Sequence, residues 1–223
     1  MRVWQGVVRE VCLGPFGRGA WIYAPPGAIP APGQYVMGWA PEDTHSPTAE
    51  ALFPAGYKDG AFLVAAPVPQ TWEPGTKIIL RGPIGKGYQL PGWVTHLVVA
   101  ALGQTVERLL PILSEAIEHG CSVVVCTDCT LPNLPAEVEY YPECGLVEIL
   151  PWANFLMMDL PRSQLSLFRS MFAKMSLPDG QVLLSTIMPC GGLGECGVCA
   201  VQGNRSVKFI CKNGPVFPLH EFF

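Results

Sequence analysis

The chain reads as a β unit followed by an α/β unit. An antiparallel β-barrel comes first, then a layer built on a parallel sheet, then a small C-terminal unit. Three observations predict this order. Short apolar runs broken by Pro–Gly turns fill residues 1–91. Continuous apolar strands alternate with helical periodicity over residues 92–187. Glycine and cysteine dominate residues 188–223, and four of the nine cysteines lie between positions 190 and 211.

In the first unit the strand candidates are Val3–Val11, Ala20–Tyr23, Gln34–Gly38, Ala61–Ala66 and Lys77–Arg81. Gly14–Pro15, Pro25–Gly27, Pro32–Gly33 and Pro74–Gly75 separate them, and short strands at such spacing suit an antiparallel barrel or sandwich. Residues 41–60 are rich in Pro, Thr, Ser and Asp and are expected to form an irregular excursion.

In the second unit His96–Leu102 is an unbroken apolar run, as expected of a strand buried on both faces. Over Thr105–His119, Val106, Leu109, Leu110, Leu113 and Ile117 recur on one helical face. Pro111 is expected to kink that helix, and Gly120 ends it. Ser122–Thr127 is a second buried strand, Val138–Tyr141 and Leu146–Ile149 are shorter ones, Ser163–Met175 is a helix, and Gln181–Ile187 is a strand. This alternation predicts a parallel sheet. The tail from Phe217 to Phe223 is too apolar to stay exposed and is expected to dock on the barrel or on a partner.

Charged residues make up 14% of the chain, against a usual quarter, while 49% is hydrophobic. So little charge implies that part of the surface is covered by a partner protein. The net charge of −4 and the lack of any Lys/Arg run argue against nucleic-acid binding. The N-terminal residues alternate and carry charge, unlike a signal peptide, and no apolar run is long enough to span a bilayer. The expected location is the cytoplasm. There thiols stay reduced, so the cysteines are read as metal or redox groups rather than as disulfides. The histidines His45, His96, His119 and His220 are scattered and form no hydrolase constellation.

The segment Cys190-Gly-Gly-Leu-Gly-Glu-Cys196-Gly-Val-Cys199 is followed, after eleven intervening residues, by Cys211. Three close thiolates and a distant fourth form the ligand layout of a plant-type [2Fe–2S] centre, here with five residues in the first gap instead of four. Gly191, Gly192, Gly194 and Gly197 would let the backbone approach the sulfurs and donate N–H groups to them. Structural zinc is one alternative, although such sites favour two CxxC pairs or added histidines. Four unused thiols are another. Cys126 and Cys129 are read as two thiols in a strand-end loop, with a redox dithiol or half a metal site as the alternative. Cys12, Cys121 and Cys144 are read as small apolar residues.

With that cysteine segment behind a barrel and a parallel-sheet unit, the chain resembles the electron-transfer subunits of dihydroorotate dehydrogenase B, in the ferredoxin–NADP reductase superfamily. Pro32-Gly33-Gln34-Tyr35-Val36 resembles the family's PGQFV, and Pro74–Lys77 with Gly82–Tyr88 resembles its PGD…GPLGNGF. The end of the cysteine segment, Cys211–Phe217, also fits. The resemblance implies three units: an FAD-type barrel over 1–91, a Rossmann-like NAD-type unit over 92–187, and a [2Fe–2S] unit over 188–223 held by Cys190, Cys196, Cys199 and Cys211. It also implies FAD contacts from Phe53, Gly82, Pro83, Ile84, Gly85, Gly87 and Tyr88, together with a partner subunit.

The chain departs from the family's pattern at two nucleotide contacts. Where the family has an RPFS-like stretch, this chain has Ala51-Leu52-Phe53-Pro54-Ala55, without the phosphate-binding arginine. Where a Gly-rich turn should follow the first parallel strand, Ala101-Leu102-Gly103-Gln104-Thr105 has one glycine, and Met158–Pro161 replaces a CGP turn. FAD is therefore left open and NAD(H) binding is not expected. The leading expectation is a relay subunit of a larger oxidoreductase, passing single electrons through the cluster without chemistry of its own. A working FAD/NADH reductase subunit and a structural subunit with a non-redox metal site are the alternatives.

Overall fold

The computed structural model describes residues 2–44, 48–128, 131, 134–142 and 145–223. Seven antiparallel strands form the first unit: β1 (Val3–Gly14), β2 (Gly17–Tyr23), β3 (Tyr35–Trp39), β4 (Glu50–Leu52), β5 (Pro54–Lys58), β6 (Ala61–Val64) and β7 (Lys77–Ile84). Their spatial order is β4-β3-β7-β1-β2-β6-β5. The two outermost strands, β4 and β5, are consecutive stretches of one run interrupted at Phe53, so the sheet closes on itself and leaves no free edge. Side chains of alternating positions fill the inside, among them Val8, Ile22, Phe62, Trp72, Ile78 and Leu80.

Part of the stretch expected to be irregular is thus regular. Residues 50–58 supply both closing strands. The signal was Asp59–Gly60, two residues at positive φ (45° and 74°) that turn β5 into β6. A two-residue hairpin needs that geometry, and Asp-Gly is a favoured pair for it. His45, Ser46 and Pro47 lie outside the described residues.

The second unit is a six-stranded sheet ordered β10-β9-β8-β11-β12-β15. Its strands are β8 (His96–Ala101), β9 (Ser122–Cys126), β10 (Val138–Tyr141), β11 (Phe155–Pro161), β12 (Asp179–Ser185) and β15 (Val216–Pro218). The first five are parallel; β15 adds to β12 antiparallel. The chain runs outward from β8 to β10 and then returns to β11, so its direction reverses between β8 and β11. Crevices form at the carboxyl ends of strands at such a switch point.

The helices differ from expectation in an instructive way. Pro111 does not kink a long helix; it starts α1 (Pro111–Glu118), after a 3-10 turn over Val106–Leu109. Proline suits a first helical position because its missing N–H would have no partner there. Leu146–Ile149, expected as a strand, is the short helix α2, of which only Leu146 is buried. A four-residue apolar run does not distinguish the two by period. Helix α3 is Leu165–Phe172, with Leu165, Phe168 and Phe172 turned inward.

Residues 200–213 form a two-stranded ribbon, β13 (Ala200–Gln202) with β14 (Val207–Phe209), and the short helix α4 (Ile210–Asn213). The apolar tail docks on the parallel sheet rather than on the barrel. Phe217 and Phe222 are 2% and 1% exposed, with their rings edge to face at 5.2 Å. One core runs from this sheet through Cys199, Val201, Ile210 and Cys211 to Tyr35, Phe53 and Tyr88 of the barrel side. Among the described residues no helix is long and apolar enough to cross a membrane.

Candidate metal centre and adjoining cleft

Cys190, Cys196 and Cys199 lie on the loop from β12 to β13, and Cys211 lies on α4. Ile210 N–H donates to the Cys199 carbonyl at 3.0 Å, which brings helix and loop together. The sulfurs come as two pairs. Cys199 and Cys211 are buried, with Sγ atoms 3.1 Å apart. Cys190 is half-buried and bonds to the exposed Cys196 side chain. Burial raises the Cys190 thiol, but the N–H groups of Glu195, Cys196 and Gly194 outweigh it and bring it down to about 6. Cys211 is pushed up to about 12 by burial, by its bond to Cys199 and by the charges of Cys199 and Cys190. Both thiols also receive the Gly194 N–H.

The additional residue in the first gap does not carry Cys190 away. Gly191 and Gly192, at φ 64° and 80°, fold the surplus inward against the barrel. A Cβ on Gly191 would lie 2.4 Å from Arg81 Nη2, and one on Gly192 would lie 2.8 Å from Tyr35 Oη. Only glycine fits either place. Arg81 donates to the Gly191 carbonyl, Tyr35 donates to the Cys211 carbonyl at 3.3 Å, and Arg162 donates to the Val198 carbonyl. The loop is thus clamped from the barrel and from the end of β11.

Among the described residues no three His, Cys, Asp or Glu side chains converge as ligands of one ion. His220, the histidine nearest in sequence, instead lines a 460 Å³ pocket with Trp93 and Phe155 at the far end of the sheet. The contacts of Cys199 with Cys211 and of Cys190 with Cys196, ringed by backbone N–H donors, suit a binuclear cluster that takes two thiolates per iron.

Beside this loop a cleft of about 1310 Å³ opens between the barrel and the carboxyl ends of β8, β11 and β12. Of the residues proposed for flavin, Phe53 lines it. Gly82, Pro83, Ile84, Gly85, Gly87 and Tyr88 lie elsewhere. Gly82–Ile84 continue β7, Gly85 packs against Gly214 and Pro215, and Gly87 against Pro32. Tyr88 is buried and donates to the Met158 carbonyl at 2.7 Å. Lys86 N–H donates to the Gly214 carbonyl at 2.7 Å, so this stretch ties the barrel to the C-terminal unit.

Side chains at the switch point form one wall of this cleft. Arg108 makes a forked ion pair with Asp159, at 2.6 and 2.9 Å, where Asp159 is wholly buried. Arg108 also donates to Gln104, and Gln104 to Ser185. Its guanidinium stacks 5.1 Å from the Phe53 ring, and Phe53 in turn lies 5.4 Å from Tyr35. A Cβ on Gly103 would meet the Gln164 side chain at 2.3 Å. Burial pushes Asp159 up to about 6 against the opposing pull of Arg108. Sequence reasoning missed this network, though one signal was present: Asp159 is the lone charge in an otherwise apolar strand.

Comparison with known proteins now bears on the fold and the cysteines together. Residues 185–223 match the family described as the iron–sulfur cluster binding domain of dihydroorotate dehydrogenase B. The dihydroorotate dehydrogenase B (NAD(+)) electron transfer subunit of Desulforamulus reducens is 28% identical over 173 residues, which are 66% of this chain and 65% of that one. This chain is similar to the dihydroorotate dehydrogenase B electron-transfer subunits. A probable member from Thermoplasma acidophilum is 24% identical over 211 residues, 85% of this chain and 79% of that one. The match over the C-terminal segment supports an iron–sulfur cofactor there. Among solved structures, an NADH-dependent reduced ferredoxin–NADP oxidoreductase superposes with a TM-score of 0.77 at 19% identity, covering 98% of this chain and 89% of that one. The ferredoxin reductase of carbazole 1,9a-dioxygenase gives 0.61 at 16%, covering 77% and 64%. Both likenesses establish the fold, including the barrel and the parallel sheet. Cys129 and Cys144 lie outside the described residues; Cys126 and Cys121 are buried.

Proposed function

We propose that this chain is the electron-transfer subunit of a multi-subunit oxidoreductase. It relays single electrons through a [2Fe–2S] cluster on Cys190, Cys196, Cys199 and Cys211, and it does not bind NAD(H). In this reading residues 1–91, 92–187 and 188–223 are barrel, degenerate nucleotide unit and cluster unit. The cluster supplies one-electron chemistry, and the chain supplies its ligands, its insulation and the surface for a partner subunit. Both relatives are electron transfer subunits, which supports the partner.

The observation that carries the loss of nicotinamide binding is the Arg108–Asp159–Gln104–Ser185 network at the switch point. A dinucleotide needs open backbone and a helix N-terminus there. This chain puts its own ion pair in that place, and a buried pair is costly to break. A second reading, in which the cleft still takes FAD, is favoured by its size. At about 1310 Å³ it exceeds ordinary ligand pockets of roughly 300–1,000 Å³.

Anaerobically purified protein tests both readings. The relay reading expects NADH to reduce no dye through this chain and expects almost no FAD to be released per cluster. Steady NADH-dependent dye reduction would overturn it. One FAD per cluster without NADH activity would select the second reading.

A further inference from the structure

Arg81 has no role in what has been described so far except to touch a carbonyl. It belongs to β7 of the barrel, where it faces Met37 across one neighbour and Val3 across the other. Its side chain leaves the barrel and reaches the Gly191 carbonyl, one residue beyond Cys190. None of the ion pairs among the described residues includes it. Its Nε is buried and has no hydrogen-bond partner. The residue as a whole is half-buried, but a buried guanidinium nitrogen without an acceptor is unusual, because buried polar groups are normally hydrogen-bonded.

We propose that Arg81 sets the reduction potential of the cluster by holding an unpaired guanidinium against the loop that follows Cys190. The inference rests on the reading that the four cysteines hold that cluster. Reduction adds one electron, and hence one negative charge, to a group already carrying thiolate ligands. A nearby cation stabilises the reduced form more than the oxidised form and so raises the potential. Burial matters because solvent and salt weaken an exposed charge but act much less on a sheltered one. Tyr35 marks how close the groups are: its hydroxyl donates to the Cys211 carbonyl at 3.3 Å and lies 2.8 Å from where a Cβ on Gly192, next to Gly191, would be. Arg162 provides an internal comparison, since it also donates to this loop, at Val198, but is exposed to solvent. Arg81 is a tuning residue here, not a ligand.

The experiment is a redox titration of the anaerobic full-length protein, followed by the electron paramagnetic resonance signal of the reduced cluster, with iron counted in every sample. In Arg81→Gln the reduced-to-oxidised ratio at a fixed poise is expected to fall about tenfold, a shift of about 59 mV for one electron. Arg81→Lys, which keeps the charge and loses the fork, is expected to titrate with the wild type. Arg162→Gln is expected to stay within about twofold, as befits a screened charge. Full iron in Arg81→Gln with an unmoved potential would overturn the inference and leave the cluster reading intact. Equal shifts in Arg81→Gln and Arg162→Gln would also overturn it. If Arg81→Gln holds no iron, Arg81→Lys decides: the wild-type potential supports the role of charge, and a tenfold change in ratio refutes it. Wild-type protein without iron would remove the cluster reading itself.

Discussion

Cys199 and Cys211 are each 1% exposed, while Cys196 faces solvent, so the four thiols are not equivalent. Replacing Cys199 with Ser should abolish cluster retention, because a serine alcohol is a poor ligand for soft iron–sulfur chemistry. Iron and sulfide per chain after anaerobic purification would read the loss, and retention of a full cluster would count against the ligand assignment. A second prediction concerns Arg108. Changing it to Ala leaves Asp159 buried and unpaired, which should cost about 3–5 kcal/mol at neutral pH. The pH dependence has a defined sign. Asp159 sits at about 6 when folded against 3.8 in its ordinary state, so it binds its proton more tightly in the folded chain. Its contribution to stability therefore falls as pH rises from about 4 to about 6. Without Arg108 its folded value climbs further, so the deficit of the variant should grow from pH 5 to pH 8. Denaturant midpoints at the two pH values would show this; a deficit independent of pH would mean the pair is not what the substitution removes. The cysteine segment that matches the iron–sulfur family was legible because its spacing is local. The Arg108–Asp159 pair was not, because its members are 51 positions apart and only the return of β11 beside β8 brings them together.

At the scale of elements, the tail shows what periodicity conveys and what it leaves out. Phe217–Phe223 was legibly buried from its apolar content, but where it is buried depends on β15 pairing with β12, which no local pattern records. Phe217→Ala should cost about 3–5 kcal/mol, as for other fully enclosed aromatic side chains, through lost contacts with Phe222 and the sheet. Thermal or denaturant unfolding would measure it, and a loss below about 1 kcal/mol would contradict the docking described. Because β15 follows Cys211 by only a few residues, the same substitution should also loosen the cluster loop and raise the rate of iron release. The long strands β8 and β9 were readable because burial on both faces leaves unbroken apolar runs, whereas β11 was missed, its end at Met158–Pro161 having been matched to a turn. Leu146–Ile149 was not, because four apolar residues satisfy a helix turn and a short strand alike. The closing strands of the barrel, β4 and β5, hid in a polar stretch whose Asp59–Gly60 turn was the one clear sign of a hairpin.

For the molecule as a whole, three contacts hold the cluster loop to the rest: Arg81 and Tyr35 from the barrel, and Arg162 from the end of β11. The loop therefore lies where both larger units can influence it, beside the cleft that Phe53 and Arg108 share. Phe53 and Tyr35 form a short aromatic bridge from that cleft to the Cys211 carbonyl. The ferredoxin-reductase-like fold is thus kept, with an internal ion pair at the switch point on the wall of the cleft. The measurement that bears most directly on this account is the content of iron and acid-labile sulfide in anaerobically purified protein. The account predicts about two of each per chain, as a [2Fe–2S] cluster on four cysteines requires. A single zinc per chain, or no metal at all, would contradict it.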